Sequence, residues 1–132
     1  MANVLILGGD GYLGWPTAMN LTAAGHNVSV ADNYLRRNIC REEDSQALFP
    51  VPNLHDRVKR WHDVSGHHIE VHIGDLADWD FIRSLFEKTR PDTVIHYAEQ
   101  PSAPYSMLNR KAGALTLKNN LDVTFNVIFA VK

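Results

Sequence analysis

Three spaced glycines, in Val4-Leu5-Ile6-Leu7-Gly8-Gly9-Asp10-Gly11-Tyr12-Leu13-Gly14, restrict this chain more than any other feature. A short apolar run ends in them and an amphipathic segment follows, which is the order strand, tight turn, helix. The glycines fit both Gly8-x-x-Gly11-x-x-Gly14 and the nested Gly9-x-Gly11-x-x-Gly14. In either spacing the first glycine turns the chain sharply off the strand. The middle one, lacking a Cβ, admits a pyrophosphate close to the backbone. The last packs the helix against the strand. The phosphate then sits on unpaired N–H groups at the positive end of the helix dipole. Gly8, Gly11 and Gly14, with Tyr12 and Leu13 between them, are the expected phosphate-facing residues.

The required context is present. Val28-Ser29-Val30-Ala31 reads as a second strand, closed by Asp32 about 20 residues downstream, where a ribose-binding acid belongs. Asp32 would accept hydrogen bonds from the adenosine ribose hydroxyls and repel a 2′-phosphate, which favours NAD over NADP. Arg36 and Arg37 lie close by. They either soften that preference, contact the pyrophosphate, or belong to a solvated loop.

With 132 residues the chain has room for one domain and few spare elements. Its net charge of −2 leaves no electrostatic footprint for nucleic acid. Cys40 is alone, so no disulfide framework or cysteine metal site is expected, and a cytoplasmic setting is the default. No charged leader and no membrane-spanning apolar run is expected.

Strand one is expected at Asn3 to Leu7, and helix one at about Tyr12 to Ala24, with Leu13, Thr17 and Leu21 inward and Gly25 as its stop. Pro16 is tolerable only near the first turn. Residues 33–66 read as a long excursion, partly loop, with Leu54, Val58 and Trp61 on the inner face of one helix. Strand three, Ile69 to Ile73, alternates as an edge strand does. Asp78 caps a helix holding Phe81, Ile82, Leu85 and Phe86, and Pro91-Asp92 precedes strand four, Thr93 to His96. A final helix carries Ala114, Leu117, Leu121, Phe125 and Ile128 at helical spacing. Right-handed crossovers then give an α/β fold, a Rossmann-type doubly wound parallel sheet in the order 3-2-1-4, with ligand across the carboxyl ends of strands one and four.

Asp75-Leu76 leaves strand three where it can bracket an adenine, the carboxylate facing the amino group; the alternative is an N-cap-like turn residue. Tyr97-Ala98-Glu99 leaves strand four at the switch point. Small Ala98 suits close passage of a cofactor, and Glu99 is either a site carboxylate or a solvated loop charge. His62, His67, His68 and His72 are close in sequence, but no recognisable carboxylate partner completes a site with them, so no metal site is expected. Asn119-Asn120 interrupts the apolar stripe of the last helix, and one of the pair is expected to bond inward.

Together, Gly8-x-x-Gly11-x-x-Gly14, Asp32, Gly74-Asp75-Leu76 and Asn119-Asn120 resemble the extended short-chain dehydrogenase/reductases, the group of nucleotide-sugar epimerases and dehydratases. The resemblance is closest to a branch that uses bound NAD to oxidise UDP-glucose, eliminates water and adds sulfite at carbon six. Gly9-Asp10-Gly11-Tyr12-x-Gly14-Trp15, Asp32-Asn33 with Arg36-Arg37, His55-Asp56-Arg57 with Arg60-Trp61, and Glu99-Gln100 with Ser102 to Met107 carry it. It implies cofactor contacts from Asn33, Arg36, Tyr97, Ala98, Glu99 and Asn119, and substrate contacts from Gln100 and Tyr105. Pro101 stands where that branch is expected to have arginine, removing a cation and a backbone donor, so another sugar nucleotide is a plausible substrate.

The family's proton transfers run through Tyr-x-x-x-Lys, the lysine lowering the tyrosine's pKa. Here Tyr12 leads to Pro16, Tyr34 to Asn38, Tyr97 to Pro101 and Tyr105 to Asn109. Residues 1–132 are therefore expected to be the N-terminal part of an NAD-binding domain, without the catalytic segment or the sugar-binding region, and inactive alone. The competing expectation is an assembly module, a homodimer or a complex with a catalytic partner chain, because Phe125 and Ile128 need burial. A nucleotide sugar would bind only once the missing half is supplied.

Overall fold

The computed structural model describes every residue except Gln46. β1 (Asn3–Leu7) is apolar after its first residue because both of its faces are covered. It pairs in parallel with β2 (Asn27–Asp32) on one side and β4 (Thr93–His96) on the other; β3 (Ile69–Ile73) pairs with the far side of β2. The order is 3-2-1-4, that of the first half of a dinucleotide-binding sheet plus one strand, and β3 is an edge.

Successive β1 residues feed two separate cores. Val4 and Ile6 pack with Val28, Val30 and Ile69 against Trp15 and Ala18 of α1 (Gly14–Ala23) and Leu54 and Val58 of α3 (Leu54–Ser65). Leu5 and Leu7 pack with Ala31 and Leu76 against Ile82 and Leu85 of α4 (Trp79–Thr89) and Val123 of α6 (Arg110–Ala130). Helices thus cover both sheet faces.

α1 starts at Gly14, and its buried stripe is Gly14, Trp15, Ala18 and Thr22. Of the expected stripe of Leu13, Thr17 and Leu21, Leu21 does pack against the first core, partly buried, and Thr17 is half-buried, whereas Leu13 is half exposed. Close approach to the glycine turn requires a residue without a Cβ at Gly14, and apolar periodicity alone does not register that. Pro16 falls in the first turn, where its missing N–H costs no helical bond.

The excursion is not mainly loop. It contains α2 (Leu35–Glu42), anchored by buried Ile39, and α3, capped by the Asn53 side chain and stopped by Gly66 at φ +74°. Leu54 and Val58 do face inward, and Trp61 Nε1 donates to Thr22 Oγ1, fixing α3 to α1. Asp78 accepts from the Asp80 and Phe81 amides at the start of α4, as its sequence position predicts. A short helix, α5 (Ala103–Ser106), interrupts the segment after β4. On α6 the expected row of Leu117, Leu121, Phe125 and Ile128 faces outward, each at least half exposed. Among the described residues no helix is long and apolar enough to cross a membrane, and no three potential metal-binding side chains gather.

Candidate functional site

Four strands ending side by side bring the singled-out segments together. Leu7 is level with Ala31 and His96, and Asp32 with Ile73. The glycine turn, Asp32-Asn33, Gly74-Asp75-Leu76 and Tyr97 to Gln100 therefore all leave the same carboxyl edge.

The glycines have distinct physical reasons. Gly8 sits at φ +88°, and a Cβ there would lie 2.7 Å from the Tyr97 carbonyl as β4 exits alongside. A Cβ on Gly14 would run into the Gly8 carbonyl, so only glycine lets α1 begin this close to β1. Gly11 has the least demanding surroundings of the three: a Cβ would meet only the Gly8 oxygen, at 3.3 Å. α1 has no side-chain cap, and Tyr12 and Leu13 are exposed beside its first turn. Its leading N–H groups therefore face the turn without a side-chain acceptor, an arrangement that suits an anion.

Asp32 lies at the end of β2 with Oδ2 accepting from the Asp10 amide (2.9 Å) and Oδ1 from the Tyr34 amide (2.7 Å). Burial pushes its carboxyl pKa upward, and the two amides pull it back. Each oxygen keeps a lone pair for a further donor. Tyr34 holds a left-handed backbone at φ 58°, local strain placed next to that carboxylate. Asn33 Nδ2 donates to Asp75 Oδ1 (3.3 Å), which also receives the Ala77 amide, so Asp75 does act as a turn residue while bordering the same edge.

Leu76 is only 3% exposed, and its side chain belongs to the core rather than to the strand edge. Its carbonyl and that of Ala77 both accept from Asn126 Nδ2 at 3.0 Å. Arg36 is exposed, whereas Arg37 is half-buried and bonded within the chain.

At the end of β4, Glu99 is no solvated loop charge. Its Oε1 accepts from Thr124 Oγ1 (2.9 Å) and lies 3.1 Å from His96 Nε2. The Ala98 amide donates to His96 Nδ1 (3.2 Å), so the ring proton sits on Nε2 and is given to Glu99. Burial lowers the His96 pKa below its ordinary value of 6.5, which keeps the ring neutral near pH 7. Glu99 Oε2 is left as the outward acceptor.

Of the asparagine pair, the inward partner is Asn120. Its Oδ1 accepts the Gln100 amide (2.8 Å) and its Nδ2 donates to the Gln100 carbonyl (3.2 Å). Asn119 supports it by donating to Asn120 Oδ1. Gln100 is 6% exposed, its Oε1 taken by the Ser102 amide and its Nε2 without a partner among the described residues. Tyr105 is half-buried in α5, its amide held by Ser102 Oγ.

Asp10, Arg57, His96, Thr124 and Asn126 were not assigned from the sequence on physical grounds. A signal existed for the first: a charged residue inside a glycine turn must find a partner.

The pattern of the NAD dependent epimerase/dehydratase family matches residues 4–132. UDP-sulfoquinovose synthase from Spinacia oleracea, a chloroplastic protein, is 40% identical over 129 residues, 98% of this chain and 27% of that protein. UDP-sulfoquinovose synthase from Sulfolobus acidocaldarius is 38% identical, over 97% of this chain and 33% of its own length. Among solved structures, UDP-glucose 4-epimerase from Thermus thermophilus in complex with NAD superposes with a TM-score of 0.67 at 27% identity, covering 96% of this chain and 32% of that one. A UDP-glucose 4-epimerase from Stenotrophomonas maltophila, with bound NAD and formylated UDP-arabinopyranose, gives 0.74 at 23% identity and shares the fold. The chain thus spans about a third of the length of the relatives it matches.

Proposed function

The chain belongs to the NAD dependent epimerase/dehydratase family, and on that premise we propose that residues 1–132 are the NAD-binding portion of a nucleotide-sugar enzyme. One observation carries the reading: an uncapped helix N-terminus behind Gly8, Gly11 and Gly14 sits beside a carboxylate, Asp32, at the end of the adjacent strand. The first receives a pyrophosphate and the second the adenosine ribose. Arg36, Asn33, Asp75 and the backbone of Leu76 border the adenosine; Tyr97, Ala98, Glu99 and Asn119 border the path toward the nicotinamide. Gln100, with its unpartnered Nε2, and Tyr105 are offered to the sugar nucleotide. UDP-glucose with sulfite is the favoured pair of substrates, from the likeness to the two synthases; Pro101 keeps a different sugar nucleotide open. Without a Tyr-x-x-x-Lys pair these residues turn nothing over by themselves. A cytoplasmic setting goes with the reading through the lone Cys40.

The test is calorimetric titration of the chain with NAD, repeated with Asp32→Ala. Loss of a charged hydrogen-bond acceptor costs about 1.5–3 kcal/mol, roughly a tenfold to hundredfold weakening. Folded wild-type protein that binds no NAD would sink the reading.

A second role is favoured by α6. Leu117, Leu121, Phe125 and Ile128 form one outward row, with exposures of 64, 61, 61 and 51%, and β4 is an open edge. We propose that this row docks a second copy of the chain. Light scattering should give a dimer mass that falls to monomer in Leu121→Glu; a wild-type monomer at high concentration would exclude the dimer.

A further inference from the structure

Asp10 lies inside the glycine turn, where a charged side chain has no role in holding a pyrophosphate. Its carboxylate is only 10% exposed and is held from two sides. Arg37 grips it with a fork, Nε to Oδ2 at 2.5 Å and Nη2 to Oδ1 at 2.7 Å. Arg57 Nη1 donates to Asp10 Oδ1 and to its backbone carbonyl, both at 3.1 Å. The remaining reach of Arg37 is spent on the Val51 and Pro52 carbonyls, at 2.8 and 2.7 Å. The Arg57 guanidinium also lies over Trp15, 4.5 Å from the ring centre. The Asp10 amide in turn donates to Asp32, so this cluster abuts the acid at the end of β2.

We propose that Asp10 is a cofactor-specificity residue that sequesters Arg37 and Arg57 and so completes discrimination against a 2′-phosphate; this rests on the dinucleotide-binding reading above. An arginine beside the end of the second strand is what accommodates that phosphate. Here Asp10, whose amide bonds Asp32, holds the Arg37 fork and one Arg57 nitrogen. With Asp32, two carboxylates balance these two cations, and the Arg37 fork is not free to meet a phosphate dianion brought to Asp32, while Arg36 stays exposed. Removing the Asp10 charge leaves the cluster net positive and frees the Arg37 fork, whose planar geometry fits phosphate oxygens.

The experiment compares NAD and NADP binding by calorimetry for the wild type, Asp10→Asn, Arg37→Met and the double variant, each first checked for folding by circular dichroism. The Asp10→Asn chain is expected to raise the ratio of NADP to NAD affinity about tenfold, and the double variant to lose that gain. Arg37→Met alone weakens both cofactors together and leaves their ratio unmoved, because the wild-type arginine is not offered to the phosphate. An unmoved ratio in folded Asp10→Asn, a gain that persists in the double variant, or a selective loss of NADP in Arg37→Met would each overturn the proposal. Should Asp10→Asn fail to fold, the Arg37→Met ratio still decides. Failure of the wild type to bind either dinucleotide would instead bring down the cofactor reading, and this inference with it.

Discussion

Gly14→Ala is expected to destabilise the fold by about 1–3 kcal/mol, while Gly11→Ala leaves stability nearly intact yet abolishes NAD binding. The Gly14 Cβ would meet the Gly8 carbonyl and come within 3.0 Å of Gly9 Cα, backbone that cannot swing aside. Relief requires α1 to move off the sheet, and overpacking of this kind costs more than a displaced side chain does. At Gly11 the only obstacle is the Gly8 oxygen at 3.3 Å, and φ there is ordinary, so the chain absorbs a methyl with a small adjustment. The methyl then occupies the space in front of the helix N-terminus, where the pyrophosphate needs the backbone. Urea unfolding and NAD calorimetry on the two variants separate the cases. Equal loss of stability in both would mean that Gly11 serves the fold rather than a ligand.

Trp15→Ala should cost about 3–5 kcal/mol, the range for emptying a large buried aromatic site. Trp15 is 9% exposed and packs with Val4, Ile6, Val30 and Leu54, so its loss uncouples α1 from both the sheet and α3. Arg57 also loses the ring beneath it. Native domains have about 5–15 kcal/mol in total, so the melting temperature should fall by roughly 10–20 °C. Thermal melts read by circular dichroism test this, with Trp15→Phe expected to recover most of the loss. A fall under about 5 °C would show that α1 is not held by this side chain.

Much of the architecture was legible in the chain because its signals are local. Val4 to Leu7 is apolar without alternation, which only a strand covered on both faces needs. Asp78 before α4 and Gly25 after α1 act on amides and carbonyls about one turn away. The strand order follows from the glycine turn after the first strand, which marks a dinucleotide-binding sheet of order 3-2-1-4. The excursion from Asn33 to Gly66 was harder, because α2 buries only Ile39 and its charged residues mask a helix. The α1 stripe was legible only at Leu21 for a related reason: hydrophobicity marks what can be buried, while Gly14 is buried because a Cβ there would meet the Gly8 carbonyl.

The candidate site divides along the same line. The sequence by itself determined the turn of Gly8, Gly11 and Gly14, Asp32 at the end of the next strand, and the edge where ligand belongs, because spacing of about 20 residues and strand polarity are properties of the chain. Only the tertiary structure decided that Arg37 is consumed by Asp10, that Arg57 joins it from 47 positions away, that Asn120 rather than Asn119 holds the Gln100 backbone, and that Glu99 is oriented by His96 and Thr124. Those pairings depend on which charges lose their water together when distant elements pack, and a buried charge accepts whichever partner the packing brings within reach.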